Sequence, residues 1–274
     1  MAGELFVVGT PIGNLGDFSP RAVETLRTVD FIAAEDTRVS VKLLNYFDIK
    51  NKLVAYHEHN RAEKGPSIVE RILAGESCAP VTDAGMPAIS DPGQDLVRLC
   101  HESGIKVNTV PGPSAIITAL ALSGLDVSRF TFEGFLTGNK PKRREHLEEI
   151  RTEKKTMVFY EAPHKLAATL HDLHTALGNR KIALIKELTK IHENIEFGTL
   201  EEFDGKYDDV KLKGEYVIII EAKSREEIAS EEEETDPVEL AKSYISEGFS
   251  INEAAKKAAK ETGTKKSDIY KQLV

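Results

Sequence analysis

Tryptophan is absent from this chain of 274 residues, and cysteine occurs only twice, at Cys78 and Cys100. No metal-ligand spacing surrounds either thiol, so neither a disulfide framework nor a structural zinc site is predicted. Both are expected to be reduced, small, buried core residues. Long apolar runs are missing too. None approaches the roughly 20 residues of a membrane-spanning helix, so no membrane partner is expected. The first ten residues lack the basic flank, apolar stretch and cleavage site of a secretory leader. The expectation is a cytoplasmic protein. Positive charge is in deficit, with a formal net charge of −9. That balance argues against a uniformly basic surface, but a polyanion requires only a local basic patch.

What the chain does have is alternation. Strand-like runs at 5–8, 31–36, 52–57, 77–83 and 105–112 are separated by helix-like runs at 20–30, 39–49, 64–76 and 93–104. Such alternation predicts an α/β fold on a mostly parallel sheet. The second half continues in the same manner, with helices at 114–124, 138–150 and 164–178, and strands at 130–136, 154–162, 181–188 and 216–222. Two α/β domains follow, 1–113 and 114–223, with the boundary near the PGPS turn (111–114). An acidic stretch, 224–236, reads as a solvated linker. From 237 to 274 the pattern is helical again, broken by Gly248 and Gly263 into about three short helices. This small C-terminal module resembles a helix-turn-helix, with Ser250 and Thr264 or Ser267 as N-caps; a plain three-helix cap is the alternative.

Four segments carry the chemistry. GTPIGNLGD (9–17) follows the first strand, where glycines let a backbone approach a ligand. It matches neither the dinucleotide nor the Walker pattern, and alone it also fits an ordinary strand-to-helix turn. PVTDAGMPAISDPG (80–93) is rigid and long for a connection, which favours a functional loop. Asp83 stands at its strand end, placed to accept hydrogen bonds from a ribose, while Asp91 fits a turn or helix cap better. VPGPSAIITAL (110–120) delivers Ser114 and Ala115 to a helix start, leaving room for a flat ring or a thioether; a simple N-cap serine is the alternative. EDTR (35–38) and AYHEHN (55–60) put charge at further strand ends. His57 and His59 lack a third ligand at useful spacing and read as exposed loop residues, so no metal is expected.

Taken in order, GTPIGNLGD, AAEDTR, VTDAGMPAISDPG, VPGPSA, FEGFL, FYEAPH and KELTK resemble the ribosomal RNA small-subunit methyltransferase I family, within the tetrapyrrole (corrin/porphyrin) methylase superfamily. The resemblance runs from about Leu5 to Ala222, and the helical tail is similar to that family's extension. It implies two α/β domains of the tetrapyrrole-methylase type and S-adenosylmethionine in the cleft between them. It implies a homodimer that methylates a cytidine 2′-oxygen of 16S rRNA, free or in the small ribosomal subunit, near the decoding centre. Carried over by position, the cofactor contacts are Pro11, Ile12 and Gly13; Thr82, Asp83 and Met86; Ser114 and Ala115; and Glu161, Leu188, Gly214 and Glu215. The first loop departs from the G-x-G-P-G-D pattern of porphyrin-type methylases, which places the likeness on the rRNA branch.

A ribose hydroxyl is a poor nucleophile, so a base or an electrostatic partner is needed beside it. Asp36 and Glu187 are candidate bases. Arg38, Lys186 and Lys190 are candidates to hold phosphate or polarise the hydroxyl. Each also reads as a surface ion-pair member. The basic run KPKRR (140–144), taken as a loop cluster, and the Lys-rich tail favour RNA. A methylase of the same fold acting on a tetrapyrrole or a modified protein residue stays open, as does a non-catalytic RNA-binding module.

Overall fold

The computed structural model describes residues 2–223, 236–246 and 248–273; most of the acidic stretch 224–236 lies outside the described residues. Two five-stranded sheets, their helices and connecting loops make one compact unit, and the three C-terminal helices belong to a second.

The first sheet is built from β1 (Leu5–Val8), β2 (Phe31–Ala34), β3 (Leu53–Ala55), β4 (Cys78–Val81) and β5 (Val107–Val110), in the order β3-β2-β4-β1-β5. Every pairing in it is parallel, as the alternation predicted. Side chains alternate between its two faces because a strand's period is two. Val8, Ile32, Ala34, Ala79 and Val81 pack on one side with Ala22 and Leu26 of α1 (Pro20–Thr28) and Leu44 of α2 (Thr37–Tyr46). Leu5, Phe31, Ala33 and Cys78 pack on the other with Ile68 and Ile72 of α3 (Arg61–Leu73) and Leu96 and Cys100 of α4 (Gln94–Glu102). Both cysteines are free and buried in that layer, and burial pushes the Cys100 thiol up to about 11. Parallel strands put all their carboxyl ends on one edge. The loops after β1, β2, β4 and β5 therefore converge there, with β1 lying between β4 and β5.

The second sheet corrects the expectation of parallel pairing. β6 (Phe130–Phe135), β7 (Thr156–Glu161), β8 (Lys181–Lys186), β9 (Asn194–Thr199) and β10 (Tyr216–Ile220) lie in the order β6-β7-β10-β8-β9. Only β6 and β7 run parallel; β10 is antiparallel to β7 and β8, and β8 to β9. Chain order alone could not show that the last strand inserts between β7 and β8. The strand β9 and the short α8 (Leu200–Phe203), which a capping box at Thr199 starts, are additions to the elements expected from the sequence. β9 is an edge strand whose burial is only partial, so its apolar signal is weak.

One face of this sheet packs on α6 (Lys140–Glu149) and α7 (Leu166–Leu177), with Leu136, Phe159, Leu170 and Ile218 in the core. The other packs Val158, Ala183, Ile185 and Ile219 on Ile116, Ala119 and Leu120 of α5 (Ala115–Leu122) and on Ile12 and Leu188. Ile12 thus belongs in sequence to the first sheet's loops and in packing to the second sheet.

The C-terminal helices are α9 (Pro237–Ser246), α10 (Ile251–Thr262) and α11 (Lys266–Leu273), closed on Ala241, Ala254, Ala255, Ala258 and Ile269. Ser250 caps α10 in a full capping box with Glu253, as its position suggested. The amides of Asp268 and Ile269 reach the carbonyl of Lys265, so α11 starts between the two residues expected to cap it.

Candidate active site

The loops at the carboxyl edge are tied to each other. Thr10 and Gly85 exchange backbone hydrogen bonds of 2.9 and 3.2 Å, and the buried Thr10 hydroxyl donates to the Thr82 carbonyl at 3.1 Å. Gly9 and Gly112 touch through their backbones: a Cβ on Gly112 would stand 2.7 Å from Gly9 Cα. Only glycine permits that approach. The Gly112 amide donates to the Met86 sulfur at 3.3 Å, which fixes Met86 against the turn.

A cavity of about 730 Å³ lies between the first sheet's loops and the second sheet. Of the predicted contacts, Ile12, Met86, Ser114, Ala115, Glu161, Leu188 and Glu215 line it. Ser114 occupies the N-cap position of α5 but its side chain makes no capping hydrogen bond, so the hydroxyl is left for a ligand. Glu161 is buried, and its carboxylate accepts from the Thr169 hydroxyl at 2.6 Å and the Ala162 amide at 2.8 Å. A second cavity of about 490 Å³ is lined by Pro11, Gly13, Thr82 and Asp83, and shares Ile12, Ala84 and Glu215 with the first. Gly214 lines neither; its φ of +90° turns the chain so that the Glu215 amide donates to Glu187 Oε1 at 3.0 Å.

Glu35, Tyr160 and Asp91 join the site although the sequence motifs do not single them out for it. Glu35 accepts from the Thr82 hydroxyl at 2.6 Å, and the Asp36 amide donates to Asp83 Oδ1 at 3.2 Å. Three carboxylates, Glu35, Asp83 and Asp91, thus share one corner. Asp91 and Tyr160 line the larger cavity. Burial, with Glu35 nearby, raises Asp83, and the same two causes push Asp91 up to about 6. The signal for Asp91 is the DPG turn itself, which reads equally as structural.

Asp36 caps α2, accepting from the Arg38 amide at 2.8 Å and pairing with the Arg38 guanidinium at 2.6 Å. Hydrogen bonds from Arg38 hold its carboxyl down at about 2. Glu187 accepts from Lys190 Nζ at 2.9 Å, which lowers its carboxyl, and Lys190 also reaches Glu215 at 2.9 Å. Lys186 ends β8, half-buried. Ala88, Ser90, Glu187 and Thr189 have positive φ values of 71°, 63°, 51° and 65°. Such conformations are costly for residues with a Cβ, and among the described residues they are confined to two loops facing the cavities, apart from Asp48.

Two expectations change. The KPKRR run forms the first turns of α6, within the helix expected at 138–150, and is not the loop cluster also expected of it. Arg143 is turned inward, donating to Asp172 at 2.6 Å and to the Thr169 hydroxyl at 2.9 Å. His59 is exposed, but His57 is half-buried. No group of potential metal ligands occurs among the described residues, and no helix among them is long and apolar enough to cross a membrane.

Known proteins share the fold and, for some, much of the sequence. Residues 4–204 match the model of the Tetrapyrrole (Corrin/Porphyrin) Methylases. Ribosomal RNA small subunit methyltransferase I of Halalkalibacterium halodurans is 46% identical over 98% of this chain and 93% of its own. The proteins of that name from Synechocystis and Bacillus subtilis are 44% and 41% identical, each over 98% of this chain and over 96% and 93% of their own. Among solved structures, uroporphyrin-III-C-methyltransferase of Thermus thermophilus superposes with a TM-score of 0.58 at 16% identity, covering 80% of this chain and 94% of its own. A diphthine synthase gives 0.60 at 14%, covering 79% and 89%. These two share the fold.

Proposed function

We infer that this chain, which belongs to the tetrapyrrole (corrin/porphyrin) methylases and within them to the ribosomal RNA small subunit methyltransferase I family, methylates 16S rRNA from S-adenosylmethionine. The acceptor is the 2′-oxygen of a cytidine near the decoding centre. The observation that carries the reading is the reach of the likeness. Relatives named for rRNA methylation match 98% of the chain, past residue 204 and into the C-terminal helices. The tetrapyrrole enzyme of the same fold covers 80%.

The larger cavity suits the cofactor. It is mostly apolar, with a few polar groups at fixed places, as small-molecule sites are. The freed Ser114 hydroxyl, the sulfur of Met86 and the side chains of Ile12, Ala115 and Leu188 would hold it. S-adenosylmethionine supplies an electrophilic methyl carbon on a sulfonium. The protein's part is chiefly alignment, which by itself is worth a large rate factor. The carboxylate corner of Glu35, Asp83 and Asp91 sets a negative field beside a cationic ligand. Asp83 and Asp91, both raised, suit the acceptance of a hydroxyl proton near neutral pH better than Asp36 and Glu187, which cations hold low.

In this reading 1–113 and 114–223 are the two lobes of a cytoplasmic homodimer's catalytic core, and 237–274 is an appended helical module. Mapping ribose methylation of 16S rRNA in cells with and without the gene tests it. Loss of one methylated cytidine, restored by the gene, is expected. An unchanged methylation pattern would refute it.

A further inference from the structure

The smaller cavity has features that the cofactor's site does not explain. One face of α2 lines it: Val39, Lys42, Leu43 and Tyr46, spaced as i, i+3, i+4 and i+7. Large apolar surface is left open there, with Leu15 38%, Val39 37% and Tyr46 67% exposed. The Tyr46 ring stands edge-on to Phe47, with centroids 4.9 Å apart. At the far wall Lys190 is neutralised by Glu187 and Glu215. Lys42, exposed on the helix, has no hydrogen-bond or ion-pair partner among the described residues. An open aromatic and aliphatic patch beside an uncompensated ammonium suits a flat ring carrying an anion. A nucleotide combines those two features.

The position is as telling as the lining. Ile12, Ala84 and Glu215 border both cavities, so a ligand in the smaller one meets the cofactor's cavity across that shared wall. Asp83 lines the smaller cavity immediately before Ala84 in the chain. A hydroxyl brought to the wall is therefore delivered beside a carboxylate. The volume of about 490 Å³ has room for one nucleotide and not for a helical stretch. The base must come out of its stack to enter, as enzymes acting on single nucleotides in structured nucleic acid require.

We propose that this second cavity is the acceptor pocket, taking one extruded nucleotide of RNA, with Tyr46 stacking on the base and Lys42 holding an adjoining phosphate. The inference rests on the rRNA-methylation reading above. In the transfer, the acceptor oxygen forms a bond to the methyl carbon and the carbon–sulfur bond breaks. The bonding pair goes to sulfur, leaving a neutral thioether, and the hydroxyl proton passes to a carboxylate at the shared wall.

The test uses the full chain and small ribosomal subunits purified from cells lacking the gene, with radiolabelled S-adenosylmethionine. Tyr46→Ala is expected to lower kcat/KM by about 10- to 100-fold, the usual range for losing one stacked base, while Tyr46→Phe stays within about twofold. Lys42→Ala is expected to lower it less and to reduce the salt slope of subunit binding by about one. Calorimetry should show unchanged cofactor affinity in all three, since none of these side chains lines the larger cavity. Alanine variants at both positions within about twofold of wild type, with the salt slope unchanged, would overturn the pocket assignment. No transfer by the wild-type chain would instead overturn the functional reading beneath it.

Discussion

Gly112 shows how one missing side chain shapes the site. Its would-be Cβ meets the backbone of Gly9, and Gly9 is itself pinned by its amide, which donates to the Val110 carbonyl at 3.1 Å. Gly112→Ala is therefore expected to cost about 1–3 kcal/mol, as overpacking does, and to weaken cofactor binding by parting the two loops. Urea denaturation and calorimetry read both; a wild-type midpoint with wild-type affinity would contradict the close-packing argument. Asp91 offers a prediction in pH. Unfolded, it titrates at its ordinary 3.8; folded, burial and Glu35 push it up to about 6. Between those values the folded state holds more protons than the unfolded, so this group's contribution to stability falls as pH rises from about 4 to about 6. Asp91→Asn should raise the thermal midpoint near neutral pH, with the gain shrinking as pH falls through that window. A gain that does not vary with pH would contradict the assignment.

Helices and strands supply supports that no single loop could. The basic start of α6 illustrates this. Arg143 bridges from α6 to Asp172 and Thr169 on α7, and Thr169 in turn holds the buried Glu161 at the end of β7. The Arg143 side chain is only 14% exposed, so its loss leaves partners short of a donor rather than freeing a surface charge. Arg143→Met should destabilise the protein by roughly 1.5–3 kcal/mol, the range for a hydrogen bond to a charged group. Denaturant titration checks this; a loss below about 0.5 kcal/mol would place Arg143 among ordinary surface residues. Lys140, Lys142 and Arg144 on the same helix stay exposed and keep their suitability for RNA.

At the scale of the whole molecule, an acidic protein that acts on RNA must concentrate its positive charge where the two meet. The C-terminal helices carry Lys256, Lys260, Lys265 and Lys266, all exposed. Lys257 differs, with its ammonium over the rings of Tyr244 at 4.5 Å and Phe249 at 4.0 Å. Changing the four exposed lysines to glutamine in the full chain should make the salt dependence of subunit binding shallower, by up to about 0.7–0.9 for each phosphate that is no longer neutralised. Cofactor affinity should hold. Identical salt slopes would limit the module to a packing role.

Much of this was written in the chain itself. The alternation of period-two and period-3.6 segments determined the first sheet and its helices, because local hydrophobic pattern and backbone preference act over a few residues. The order of loop motifs determined the family, and with it seven of the residues that line the larger cavity. Other features depended on the meeting of distant segments. The insertion of β10 between β7 and β8, the inward turn of Arg143 and the failure of Ser114 to cap its helix are decided by tertiary packing rather than by local sequence. So is the meeting of Glu35, Asp83 and Asp91. The raised carboxyls of Asp83 and Asp91 arise from burial and the nearby Glu35 charge, which exist only once the strands leading to those residues lie side by side. The second cavity belongs to the same class: Tyr46, Ala84 and Glu215 border one space because separate loops and a helix are folded onto one edge.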